Sequence, residues 1–486
     1  MAEILTFSHC LNKLMQKHGL TPNQLCTSIG CTRSDIKQLM SAEGTEAKRN
    51  SIFEKIKACS LFLPEELWAL EHSLEVSRIG LEQYRFQSAI DHILSGTIPS
   101  SSMEMLSAEG KTLSSVFSAY QQAEEVEILC LNSCFPGVIQ AIRPLFDQPD
   151  REIRMRHLLS QETTRQRSGT YVATVLPLLF DCRYEPFEIH VSASEDLPPI
   201  GGNMLAIRGI TNGKERESYI SVVNASSFFE LPNAEASQIY HFMSNLFNSI
   251  RSQLSPLKET ENPQEDFTSL CMTFLSHELN RATYSLTNSL CFQQFPTKIA
   301  IAAINGADFF SEKEAAVLIK RTIAIHEQRF QNFYHKRKPA YMIMTQRGCE
   351  QFLETGVSLD HFVGFRPFTP AERQVIFETM LSNAENNPYF SPLLMKDPHF
   401  QHRYNLECYD KLGVSLDATD TNYDLASGYH PVFLMFPEFT RQYLSYYLET
   451  LVNERCYSRE TTLRILNEMY HRFIQKFGLQ KTADAQ

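Results

Sequence analysis

Short bursts of apolar residues spaced three and four apart run through the first sixty positions. Leu11, Leu14 and Met15 form one stripe, ending near Gly19. Leu25 with Ile29, then Ile36 with Leu39 and Met40, then Ile52, Phe53 and Ile56 form three more. Each burst predicts a short helix with one buried face. The punctuation between them agrees. Thr21 caps a helix that opens on Pro22, where a missing N–H costs nothing. Gly30 suits the left-handed residue that ends it. Thr32 caps the next helix with Asp35 three residues on, a variant of the capping box. Ser51 caps the fourth.

Beyond Pro64 the pattern lengthens. Leu67, Leu70, Leu74, Leu81 and Tyr84, then Ile90, Ile93 and Leu94, predict one long helix from Glu65 to about Ser95. Its spacing is close to a heptad and offers a dimer seam. Ser77 at an apolar heptad position and the helix-weakening Gly80 favour packing on its own domain instead. Residues 96–102 are a turn-rich break, and Leu113, Val116, Phe117 and Tyr120 predict another helix.

From Glu124 strands alternate with helices. Strands are expected at Val126–Leu131, Ile153–Leu158, Phe187–Val191, Met204–Ile210 and Tyr219–Val223, and helices at Pro136–Phe146, Tyr171–Phe180 and Ile239–Ile250. This is an α/β texture. Ser255–Gln264, polar with two prolines, reads as the interdomain linker. A second body follows, with helices at Phe267–Leu290, Ile299–Ile304, Glu312–Phe333, Phe439–Val452 and Arg459–Phe477 and strands at Ala340–Met344 and Val432–Phe436. Both bodies finish with an apolar strand, an acidic Phe-containing loop (Ser227–Glu230; Pro437–Phe439) and an aromatic-rich helix. That hints at duplication.

The segment Gly19–Leu39 carries the functional signal. Once Ile36, Leu39 and Met40 turn inward, Arg33, Ser34, Lys37 and Gln38 are left outside near a helix start. These are side chains that read base edges or hold phosphates in a major groove. The pattern Gly19-Leu20-Thr21, Leu25-Cys26, Gly30-Cys31-Thr32, Ser34-x-Ile36 over residues 5 to 63 resembles the DNA-binding domains of the Cro/cI type, the XRE family. The resemblance implies a lambda-repressor-like helix-turn-helix bundle that binds double-stranded DNA. Arg33, Ser34, Lys37 and Gln38 would read bases, and Thr21, Gln24, Lys48 and Arg49 would hold phosphates. The family often has Gln directly after the capping residue, where this chain has Pro22; Gln24 stands one to two residues late.

Charge sharpens that picture. From His9 to Lys57 there are eight Lys/Arg and four Asp/Glu, a net +4 in a chain of −11, leaving −15 for the rest. A basic module on an acidic body holds DNA at one end only. No apolar run approaches the roughly 20 residues of a membrane span, and the start lacks a secretory signal. A cytoplasmic protein is expected. The twelve cysteines form no CxxC pair, so reduced thiols are expected rather than a metal site; Cys130 and Cys134 are the alternative redox or metal pair.

Enzymatic signatures are missing. There is no dinucleotide loop, phosphate loop or nucleophile elbow. His277-Glu278-Leu279-Asn280-Arg281 opens like a zinc-protease helix but has Arg where the second His belongs. His335–Lys338 and the cluster Arg151, Arg154, Arg156, Arg165 and Arg167 read as solvated basic runs. Tyr443, Tyr446, Tyr447, Tyr457 and Tyr470 read as core.

The fold class expected is multidomain α + α/β. Residues 1–63 form the all-α DNA-binding bundle, and 64–122 a helical connector that is a candidate dimerisation element. Residues 123–257 form an α/β domain, and 265–486 a mixed α/β, helix-rich domain. The function expected is a sequence-specific transcription regulator, homodimeric, answering an unknown small-molecule or protein effector, with no cofactor, no metal, no membrane and no enzymatic activity. The alternatives are a protein-interaction adaptor with a helical N-terminal module, and an enzyme in the α/β body with an N-terminal targeting module.

Overall fold

The computed structural model describes residues 6–40, 45–59, 61–95, 105–132, 135–148, 151–160, parts of 171–189, 203–224, 226–231, 233–250, 254–260, 281–290, 294–304, 324–357 except 325 and 336, 366–398, 400, 404–418, 432–435 and 437–480. Five helices open the chain: α1 (Phe7–Lys17), α2 (Pro22–Ile29), α3 (Arg33–Met40), α4 (Glu46–Ala58) and α5 (Pro64–Ile79). Phe7, Leu11, Leu25, Ile36, Ile56 and Leu70 are wholly shut from water in their common core. At roughly 1.5–3 kcal/mol for each buried side chain of this size, that core holds the bundle without a disulfide, and Cys10, Cys26, Cys31 and Cys59 are free thiols. The fourth helix starts at Glu46 behind Thr45, six residues before the expected cap Ser51.

The single helix expected from Glu65 to Ser95 is two. It breaks at Gly80, whose φ of 87° and ψ of 152° suit glycine alone, and resumes as α6 (Leu81–Ser95). Ser77, out of place in a heptad, serves the bundle locally. Its hydroxyl accepts the N–H of Phe7 at 2.8 Å and donates to the carbonyl of Ser73 at 2.9 Å. It thereby satisfies an orphan donor of the first helical turn. Glu66, 5% exposed, takes Lys17 at 2.7 Å and His18 at 2.9 Å and also accepts the N–H of Leu63 at 2.9 Å. The ammonium of Lys17, then the Leu63 N–H and His18, outweigh burial and hold the Glu66 carboxyl down to about 2. So α5 belongs to the bundle. In contrast, α6 belongs to the body: Phe86 meets Phe439 edge-on at 5.0 Å, and Asp91 accepts the Tyr446 hydroxyl at 3.0 Å.

The body contains two mixed sheets. The first runs in the order β1 (Leu106–Ser107), β7 (Ser227–Leu231), β6 (Lys214–Asn224), β5 (Asn203–Thr211), β2 (Glu125–Leu131), β3 (Glu152–Ser160), β4 (Tyr184–Ile189), β8 (Leu254–Pro256). The second runs β12 (Phe390–Leu394), β11 (Ala340–Met344), β10 (Thr283–Leu286), β13 (Tyr404–Tyr409), β14 (Gly413–Ala418), β15 (Val432–Leu434), β9 (Lys258–Thr260).

Six strands of each follow one plan. From β2 the first sheet has two parallel steps, to β3 and β4, and three antiparallel steps, to β5, β6 and β7. From β10 the second has two parallel steps, to β11 and β12, and three antiparallel steps, to β13, β14 and β15. A helix follows the sixth strand in both: α9 (Asn233–Ser249) and, at the second, Pro437–Ser445. Between β1 and α9 lie α7 (Leu113–Ser118) and α8 (Pro136–Phe146). The equivalence joins Ser227–Leu231, of which Ser227–Glu230 is expected as a loop, with Val432–Leu434.

The expected linker is sheet edge as far as Thr260, with β8 on one sheet and β9 on the other. Leu257 between them is buried, donates its N–H to Pro186 and accepts that of Met435, both at 3.0 Å. Residues 261–264 lie outside the described ones. One apolar cluster runs from Ile128 and Leu205 of the first sheet to Leu286, Leu406 and Leu416 of the second. Thr283–Leu286, expected in a helix, is the strand β10 at the centre of that sheet. Further helices among the described residues are α10 (Thr297–Ile304), α11 (Gln346–Thr355), α12 (Pro370–Asn386), α13 (Pro437–Ser445), a π-helix (Tyr446–Arg455) and α14 (Arg459–Phe477), and residues 326–334 are also helical.

Candidate nucleic-acid interface

Local chemistry sets α2 and α3. Thr21 and Gln24 complete a reciprocal capping box: the Gln24 N–H donates to the Thr21 hydroxyl oxygen at 3.3 Å, and the Thr21 N–H to the Gln24 side-chain carbonyl at 2.8 Å. Gly30 closes α2 in the left-handed conformation, φ 62° and ψ 46°. Thr32 and Asp35 repeat the box at the next helix. Asp35 N–H donates to Thr32 Oγ1 at 3.2 Å, and Thr32 N–H to Asp35 Oδ2 at 3.1 Å. Each cap is worth about 1 kcal/mol, so two caps and a glycine fix where α3 begins.

Ile36 then divides α3. Its side chain is fully buried, whereas Arg33, Ser34, Lys37 and Gln38 are exposed. The helix packs on α1 and α2, so its outer side stays open. Lys48 of α4 reaches across to this side: its ammonium meets Asp35 Oδ1 at 2.7 Å and donates to Gln38 Oε1 at 2.6 Å. Lys48 first, and Thr32 next, hold the Asp35 carboxyl far below its usual range. Pairing with Lys48 offsets the charge of the carboxylate on this face of α3.

The expected residues therefore fall into separate groups. Arg33, Ser34 and Lys37 are exposed on α3, and Gln38 and Lys48 form a bonded pair. Thr21 and Gln24 are exposed but bonded to each other. Arg49 is half-buried on α4. Lys55 was not anticipated. Its ammonium donates to the Gly30 carbonyl at 3.4 Å, tying α4 to the turn, and nothing local in the sequence signals a contact across twenty-five residues.

Other clusters found in the sequence resolve otherwise. Arg154 pairs with Glu185 at 2.8 Å and Arg156 with Glu127 at 2.6 Å, so these two face their own acids. Arg165, Arg167, Lys336, Cys134 and His277–Glu278–Leu279–Asn280 lie outside the described residues, and Arg281 donates to the Asp410 carbonyl at 2.7 Å. Arg337 and Lys338 are solvated. Tyr443, Tyr446, Tyr447 and Tyr470 are buried in the core, and Tyr457 packs partly against it. Among the described residues, no group of three or more His, Cys, Asp or Glu is placed to hold a metal, and no helix is long and apolar enough to cross a membrane. A small cleft in the second sheet is lined by Thr283, Ser285, Arg329, Asn332, Tyr341 and Glu407; Arg329 and Glu407 pair across it at 3.7 Å.

No protein-family model matches this chain, and no curated protein matches its sequence. Among solved structures, a phosphatidylserine synthase from Haemophilus influenzae Rd KW20 aligns over 82% of this chain and 99% of its own, with 8% identity and a TM-score of 0.23. A likeness at that level decides nothing about fold or activity.

Proposed function

We propose that this chain is a sequence-specific transcription regulator that binds double-stranded DNA. In this reading α1–α5 form a lambda-repressor-like bundle and α2 and α3 its helix-turn-helix. The supporting observation is the division of α3: Ile36 is locked into the core while Arg33, Ser34, Lys37 and Gln38 are presented outward. Arg33, Ser34, Lys37 and Gln38 read base edges. Lys48, Arg49, Thr21 and Gln24 hold the flanking phosphates, the last two by giving up their mutual bonds. The stretch from His9 to Lys57, with net +4, attracts DNA that the remaining −15, the four glutamates of α5 included, repels.

The protein works in the cytoplasm as a homodimer on a palindromic site. The two-sheet body receives a small-molecule or protein effector, and catalysis has no part in this role. The test is selection of bound fragments from random double-stranded DNA by the purified full-length chain. Enrichment of one motif is expected, with affinity falling steeply as salt rises; a palindrome supports the dimer. An unenriched pool, together with salt-insensitive binding to a protein, would establish the adaptor reading instead.

A further inference from the structure

The turn between α2 and α3 joins two thiols. Cys31 donates its N–H to the carbonyl of Cys26 at 3.1 Å across the left-handed Gly30. This six-to-one bond brings the side chains of its two end residues together, a contact usually made by apolar groups. Here the two end residues so placed are Cys26 and Cys31. Cys26 is buried, but Cys31 is half-exposed and reachable by a small oxidant. The neighbouring thiols are placed elsewhere: Cys59 donates to the Ser28 carbonyl at 3.1 Å, and Cys10 is buried in the bundle core.

We propose that Cys26 and Cys31 form a reversible disulfide switch, closed by a peroxide, that reshapes the start of α3. In the first step the Cys31 sulfur, having lost its proton, attacks one peroxide oxygen. The O–O bond breaks, hydroxide leaves and takes up a proton as water, and Cys31 becomes a sulfenic acid. In the second, the deprotonated Cys26 sulfur attacks Cys31 Sγ. The S–O bond breaks, a second water is released and the S–S bond forms. Two thiols are oxidised by two electrons, and one peroxide is reduced to two waters. Burial first, then the neighbouring Cys26 thiol, pushes the Cys31 thiol up to about 11, with Asp35 adding to the rise and Lys55 opposing it. Cys31 is therefore protonated at neutral pH and stays reduced until oxidant accumulates, because the thiolate is the nucleophile.

The covalent bond, about 2 Å long, draws both ends of the turn together. Thr32, the cap of α3, is the next residue, so Arg33 and Ser34 move with it. The effect on DNA rests on the proposed function; the disulfide does not.

The experiment treats the reduced full-length chain with hydrogen peroxide, alkylates it under denaturing conditions, and maps peptides by mass spectrometry. The Cys26–Cys31 peptide is expected unalkylated and lighter by two hydrogens, and dithiothreitol restores it. Cys31→Ser abolishes the link and Cys59→Ser retains it. Oxidation is expected to weaken binding to the selected DNA site about tenfold in the wild type and not in Cys31→Ser. Cys26 and Cys31 both remaining alkylatable, or Cys31 linking to Cys59 instead, would overturn the site. A Cys26–Cys31 link with unchanged DNA affinity would overturn the switch. A link formed in a chain that binds no DNA in either state would uphold the thiol chemistry and locate the failure in the DNA-binding reading.

Discussion

Gln38 offers the sharpest arithmetic. To read adenine it must accept from N6 with the same Oε1 that Lys48 now occupies at 2.6 Å. Releasing that oxygen breaks one exposed, charge-assisted hydrogen bond, costing about 0.5–1 kcal/mol. A bidentate contact to the correct base returns about 1–3 kcal/mol of discrimination. Taking the middle of each range, about 2 less about 0.75 kcal/mol, the difference is about 1.25 kcal/mol, or roughly 8-fold, confined to a single position of the site. Gln38→Ala in the full-length chain is therefore expected to flatten one column of the binding profile by that factor and leave the others intact. The assay is competitive fluorescence anisotropy against every single-base variant of the selected site. An unchanged profile at every position would refute the assignment of α3 as the reading helix. Equal losses at all positions would refute the base-reading role of this residue.

Three further outcomes follow from the same geometry. If Lys48 holds a phosphate as proposed, Lys48→Ala removes that contact and unmasks the Asp35 carboxylate; anisotropy titrations should show all sequences weakened alike, with the salt slope reduced by about 0.9. Glu66→Ala strips Leu63, Lys17 and His18 of a partner and should cost the bundle about 1–2 kcal/mol by urea unfolding, discounted for the exposed Lys17. Glu66 also sets an acid limit: its carboxyl ordinarily titrates near 4.5 and is held down to about 2 in the fold, so its stabilisation is complete above the first value and drains away as pH falls toward the second. A bundle whose stability is flat over that window would contradict the Lys17–Glu66–His18 clasp. Gly348→Ala drives a Cβ into the Asn288 carbonyl, far inside van der Waals distance, and this backbone clash should cost about 3 kcal/mol or more; the check is the body's unfolding midpoint.

What can be read from the sequence is local. Caps act over three residues, so Thr21–Gln24 and Thr32–Asp35 and the Gly30 stop are legible, as is α14, which begins at Arg459 behind its Ser458 cap. Contacts across long separations are not. Lys48–Gln38, Lys55–Gly30 and Ser77–Phe7 depend on how helices dock, and no spacing encodes that. Short apolar runs have no decisive period, so Thr283–Leu286 reads as helix although it is a central strand. Glu230 makes Ser227–Glu230 look like a loop. In the fold Lys111 pairs with that carboxylate at 2.5 Å and lets the segment run as a strand beside β1. The repeated ending of the two bodies is a true regularity, but the sequence misaligns it by one strand: it matches Tyr219–Val223 to Val432–Phe436, whereas strand order matches Ser227–Leu231 to Val432–Leu434.

The outward face of α3 is the claim on which the functional account turns. The most direct measurement compares the wild-type chain with the triple variant Arg33→Ala, Lys37→Ala, Gln38→Ala on the selected DNA site, titrated from roughly 50 to 200 mM salt, with circular dichroism showing that the bundle is intact. The account expects a folded variant whose specific binding falls more than about 100-fold, because each base-reading side chain supplies about 1–3 kcal/mol. A folded variant that still binds the site with wild-type affinity and salt dependence would contradict it.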